Sequence, residues 1–132
     1  MKSEARNLKV GDELTAQRTF TADDVIGFGR LSGDRGRHHL VLDAKGRLMV
    51  HGLHTATLAT EIGGRIDFVA KEMVFEFQRP VFAGDTITCT CTVVSLTQEE
   101  GRRALEVKVA CVNQHGKEVL LGRSSGVVLE EA

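Results

Sequence analysis

The chain contains no tryptophan and no tyrosine, and its single proline is Pro80. Six phenylalanines are the whole aromatic inventory, so a core must be assembled from Val, Leu, Ile and Phe. Fourteen glycines mark the turns instead, a balance that points to β structure with limited helix. No basic excess exists either. Seventeen Lys and Arg stand against 18 Asp and Glu, and they are scattered, which excludes an electrostatic footprint for nucleic acid. No apolar run approaches the ~18 residues of a spanning helix. The opening MKSEARNLKVGDE is polar and carries no secretory pattern, so we expect a cytoplasmic protein with no membrane partner. Three cysteines, an odd number without scaffold spacing, fit reduced thiols in that compartment.

What is present is enough for one domain, residues 1–132, with a real core. DELTAQRTF (12–20) reads as a first strand ending in Phe20. TADDVIGFGRLSG (21–33) reads as a short helix. Thr21 is a good N-cap with Asp24 as its reciprocal partner, and Val25, Phe28 and Leu31 recur at helical spacing. Gly27 and Gly29 weaken that helix and Gly33 can end it. Residues 33–48 read as a loop with a turn at DAKGR. MVHGLHTATLATEIGG (49–64) then offers Val50, Leu53, Ala56, Leu58, Ala59 and Ile62, a broad apolar surface that predicts a buried helix stopped by Gly63–Gly64.

Beyond it the period changes to two. Met73, Phe75 and Phe77 share one face; so do Ile87, Cys89, Cys91 and Val93, opposite Thr86, Thr88, Thr90 and Thr92. Leu105, Val107, Val109 and Cys111 repeat the pattern, and KEVLLGRSSGVVLEE closes the chain as a further strand. The connectors RPVFAGD, TQEEGRR and NQHGK carry the turn residues that hairpins need. An apolar sheet face needs cover, and the apolar helix is the element able to supply it. The expected fold is α+β, an antiparallel sheet wrapped around one central helix.

Chemistry concentrates in LSGDRGRHHL, where Asp34, Arg35, Arg37, His38 and His39 crowd one loop. A carboxylate and an imidazole converging on one water can share general acid and base work, with either histidine eligible; a solvated turn explains the same residues. Gly52 near the start of the buried helix could offer its N–H to a carbonyl oxygen gaining charge, or could simply permit close packing. Thr55, Thr57 and Thr60 can hydrogen-bond back to the helix. His51 and His54 are three apart, but no zinc spacing joins them to a carboxylate or Cys, so no metal is expected. Cys89 and Cys91 read as small buried hydrophobes. Arg65, Arg79, Arg102, Arg103 and Arg123 could meet ligand phosphates, and read more simply as solvated charges.

In order, FTADDVIGFGRLSGD with a following His, VHGLHTATLAT, FEFQRPVFAGDTIT and VNQHGKEVLLGRSSGVVL run over roughly residues 8–129. Together they resemble the MaoC-like, (R)-specific enoyl-CoA hydratases of the hot-dog fold. The resemblance implies that Asp34 and His39 hydrate a trans-2-enoyl-CoA to the (R)-3-hydroxyacyl-CoA. It also implies that the Gly52 N–H holds the thioester oxygen and that Thr60 faces the site; His51, beside Gly52, joins the substrate-binding set. It further implies no cofactor beyond the thioester substrate, an acyl-CoA or acyl-carrier-protein partner, and a homodimer or higher homo-oligomer. Two departures stand out. The family's Asp-x-Asn-Pro-x-His has RGR in its middle here, and the segment from His39 to the HG pair is shortened. Rival readings are a hot-dog thioesterase using Glu61 and a non-catalytic acyl-CoA-binding domain.

Overall fold

The computed structural model describes residues 7–130; the polar opening expected to lack a leader lies partly outside them, as does Glu131, where the expected last strand ended. Chain order is β1 (Glu13–Thr19), α1 (Ala22–Ser32), α2 (Gly52–Arg65), β2 (Phe68–Phe77), β3 (Thr86–Glu99), β4 (Arg102–Val112) and β5 (Glu118–Leu129). The strands form one antiparallel sheet in the order β1-β3-β4-β5-β2. Bulges between Val93 and Ser95 and between Ala70 and Glu72 bend its strands. The inner face carries Ile87, Cys89, Cys91, Val93, Leu105, Val109 and Cys111, all buried against Ala56, Leu58 and Ile62 of α2. This is the α+β arrangement expected, a sheet wrapped around one helix.

Local chemistry explains α1. The Thr21 side chain accepts from Asp24 N–H while the Asp24 carboxylate accepts from Thr21 N–H, closing a capping box. That backbone donor, with Arg18, holds the Asp24 pKa down to about 2. Gly33 ends the helix at φ 80, the left-handed conformation for which glycine is suited.

Three expectations need correction. The central helix begins at Gly52, not Met49, because Val50 N–H donates to Val81 O and Met49 bridges Phe82 in extended form. It also runs through Gly63 and Gly64 to Arg65, and the chain turns only at Asp67, φ 55. The third concerns β2. Met73 and Phe77 are 40% and 55% exposed, since β2 is an edge strand reaching past the helix that covers the sheet. Cys89, Cys91 and Cys111 are free and buried, as the alternation implied. Among the described residues, no helix is long and apolar enough to cross a membrane.

Candidate active site

After Gly33 the chain has to turn back toward the start of α2, and side chains shape the turn. The Asp34 Oδ1 accepts the Gly36 N–H at 3.1 Å, an Asx-type turn that stands where the family's Asn-Pro was expected. A three-residue 3-10 turn, Arg37–His39, follows. It is stitched to the segment before α2 by Met49 N–H donating to His38 O and by the His39 ring, whose Nδ1 lies 2.8 Å from Met49 O. The same segment is tied on its other side by Ala83 N–H to Leu48 O, so RPVFAGD holds the approach to α2 in place.

These contacts bring Asp34, His39, His51 and Gly52 to one cleft of about 480 Å³, walled also by Phe28, Thr55, Phe77 and Arg79. The carboxylate Oδ2 of Asp34 lies 3.7 Å from His39 Nε2, too far for a direct hydrogen bond. The two differ sharply in setting: the Asp34 side chain is 57% exposed and that of His39 only 5%. A carbonyl oxygen can only accept, so Met49 O assigns the proton to Nδ1 of His39 and leaves a lone pair on Nε2. Burial pushes the His39 pKa down, with the neighbouring His51 and His38 rings acting the same way. The Gly36 N–H, then the nearby imidazoles, lower the Asp34 carboxyl. Two acceptors thus face one another across a gap that a water molecule, donating to both, can span.

The helix start offers donors. His51 is the N-cap of α2 and gives no side-chain cap, so the first N–H groups have no side-chain partner there. Gly52 also answers a packing need. A Cβ at this position would stand 2.7 Å from Phe77 Cε1, so only glycine lets that ring close over the helix end.

Thr60 is not brought to this cleft within one chain. Its hydroxyl donates to Thr57 O, and it lines a separate slot of about 110 Å³ with Ala59, Ile62, Phe68 and Met73. Eight residues of helix place it roughly 12 Å along α2 from Gly52. Glu61 is likewise on the exposed side of the helix, away from the cleft. His38 lines the same cleft, but it is exposed and its ring is tilted by 50° to that of His39. Thr55 had no role in the sequence beyond back-bonding to the helix. Its hydroxyl is buried without a partner, and the residue lines the cleft one turn after Gly52.

Asp34, His39 and His51 present ligand-type atoms within 4.8 Å of one another. Their geometry does not suit a cation. The His39 and His51 rings stack at 3.7 Å and 13°, so an ion in the plane of one ring cannot lie in the plane of the other. The His51 Nε2 is engaged besides, 2.8 Å from Asp34 O.

Residues 35–121 match the FAS1-like dehydratase domain region. The chain is 32% identical over 124 residues to a 3-hydroxybutyryl-CoA dehydratase of Methylorubrum extorquens, covering 87% of this chain and 76% of that protein. It is 27% identical to a mitochondrial 3-hydroxyacyl-[acyl-carrier-protein] dehydratase of Solanum lycopersicum, covering 92% of this chain and 78% of the relative. Among solved structures, the (R)-hydratase of Aeromonas caviae involved in PHA biosynthesis superposes with a TM-score of 0.84 at 26% identity, over 96% of this chain and 100% of that one.

Proposed function

The chain belongs to the FAS1-like dehydratase family, MaoC-like and of the hot-dog fold, and from that premise we propose that Asp34 and His39 add water across the C2–C3 double bond of a thioester-linked enoyl chain, or remove it. One observation carries this reading. A carboxylate and a lone-pair nitrogen face each other at 3.7 Å, each unable to donate to the other, in a cleft that the start of α2 also lines. A water donating to both is oriented before reaction, the kind of fixed geometry that lowers barriers. As its oxygen bonds to C3, one of the pair takes a proton from the water and, once protonated, delivers that proton to C2, so that both groups end as they began. The π electrons move toward the thioester oxygen, and the Gly52 N–H meets the enolate-like charge there. The product is the (R)-3-hydroxyacyl thioester; dehydration is the reverse.

The relatives named above include both CoA and carrier-protein dehydratases, so the reading covers a thioester of either carrier. It includes a homodimer. Edge strand β2 pairs only with β5 and exposes Val69, Met73 and Phe77, an apolar edge that a second copy would cover. It also places the protein in the cytoplasm. Three free thiols support that compartment, whereas the tomato relative is named mitochondrial.

The test is incubation with crotonyl-CoA. Loss of the enoyl absorbance with no free thiol is the expected result. Thiol release with the double bond intact would instead point to a thioesterase, and tight binding without turnover to a non-catalytic domain. Sedimentation of the purified chain decides the dimer.

A further inference from the structure

We propose that His51 is a positioning residue for the Asp34–His39 pair, holding the backbone of Asp34 by its ring edge and the imidazole of His39 by its ring face. The inference rests on the hydration reading and adds to it a residue whose contacts are with the pair itself. His51 is 2% exposed. Its Nε2 lies 2.8 Å from the main-chain oxygen of Asp34, an atom that only accepts, so Nε2 carries the proton and donates it. Its ring lies flat against that of His39, with 3.7 Å between centroids and 13° between planes. The Phe28 ring also stands 5.0 Å from it, tilted by 57°.

Helix capping does not account for the residue. Position 51 is the N-cap of α2, where a Ser, Thr, Asp or Asn side chain would cap the first N–H groups, and the His51 side chain caps none of them. It is also left with a buried Nδ1 that has no partner, a local cost of the kind that collects around functional sites. A second sequence feature falls into place with it. Gly29 of α1 lies under this contact, where a Cβ would come 3.3 Å from Asp34 O, close enough to push the carbonyl by a few tenths of an ångström. Glycine there leaves the carbonyl room to reach the ring.

Both contacts act on geometry that the reaction needs. The carbonyl contact fixes where the Asx turn begins, hence where the Asp34 carboxylate stands. The stack sets the plane of His39, hence the direction of its Nε2 lone pair. A planar ring with an N–H on its edge makes both contacts, and the two nearest substitutes each keep one. His51→Phe keeps the ring face and loses the donor, whereas His51→Gln keeps a donor and loses the face.

The test has two arms on the full-length chain. Nitrogen-15 NMR of the histidine side chains should show His51 protonated at Nε2 and His39 at Nδ1. A His51 protonated at Nδ1 instead would overturn the proposal, whatever the enzyme's activity. In the kinetic arm, with crotonyl-CoA, each variant should lower kcat roughly ten- to a hundredfold, the range that small misplacements produce. KM should stay within about twofold, because a residue that only positions the pair leaves substrate binding alone. Wild-type kcat in both variants would sink the idea, as would a rise in KM with kcat unchanged. If the wild type hydrates nothing, the function proposed above fails, and the tautomers still decide the role of His51. If the variants do not fold, the wild-type spectrum decides it.

Discussion

The two ends of α2 are built from the same 14-residue helix and face opposite demands. At the N-terminal end, His51 and Thr55 keep buried polar atoms without partners, imidazoles stack on one another, and His51 gives the helix start no side-chain cap. At the C-terminal end, Ile62 and Ile66 are each 2% exposed and line an apolar slot with Phe68 and Met73. Orphaned polar groups are unfavourable and well-packed hydrophobes are not. One end of the helix therefore carries the reactive geometry, and the other supplies the stability that tolerates it.

The largest effects should fall on activity at the first end. Asp34→Asn and His39→Gln should each lower hydration of crotonyl-CoA by roughly 10²–10⁴, the range for losing a general acid or base. Asp34 is exposed, so its variant should melt close to the wild type. Hydration at the wild-type rate in either variant would break the comparison at its active end. Next in size is the other end. Ile62→Ala should cost about 2–5 kcal/mol of stability, the usual range for emptying a core position, while the folded fraction keeps its kcat. A fall in kcat with little loss of stability would show that the ends are not separate in function.

Gly52→Ala tests the boundary between the two roles. Its methyl would meet Phe77, so overpacking of about 1–3 kcal/mol is expected. Pairing it with Phe77→Ala should relieve the clash. Stability that returns in the double variant while activity does not would assign Gly52 to the reaction as well as to packing. Activity that returns in step with stability would leave it a packing glycine.

How much of this was legible in the sequence depends on how local the cause is. The capping box at Thr21 and Asp24 and the stop at Gly33 follow from residues within a few positions of each other, and they stand where expected. The alternation in β3 and β4 sorted Cys89, Cys91, Leu105 and Val109 to the buried face. Asp34 and His39 were found as residues, by spacing and resemblance, and they do share a cleft. What was not legible depends on distance in space. Periodicity cannot say that β2 lies at the sheet edge, so the exposure of Met73 and Phe77 was missed. It cannot say that β2 crosses so near β5 that a Cβ at Gly122 would collide with Val74 O. Nor could it separate Thr60, which the resemblance carried to the site, from Thr55, which lines it. The contact of His51 with Asp34 spans 17 positions and leaves no periodic trace.

The smallest effect should be a titration, and it belongs to the N-terminal end alone. Burial lowers the pKa of both His39 and His54 from the ordinary 6.5. Asp34, His38, His51 and the Met49 carbonyl face the first; Arg18, Asp24 and His51 face the second. A lowered histidine pKa means that the folded chain binds fewer protons than the unfolded one between the native value and 6.5. Stability rises with pH wherever the unfolded state binds more protons. The contribution is therefore fully present above 6.5 and is lost as the pH falls through the native values. The melting temperature should accordingly be flat in neutral buffer with respect to these groups and fall on acidification. His54→Phe isolates one of them. Its ring stacks on Phe28 at 4.5 Å and 11°, so phenylalanine preserves the contact and removes the titrating nitrogen. The slope of melting temperature between about pH 7 and pH 5, around the ordinary histidine pKa, should then become shallower while kcat changes little. An unchanged slope would mean that His54 titrates alike in the folded and the unfolded chain, and that acid acts through other groups.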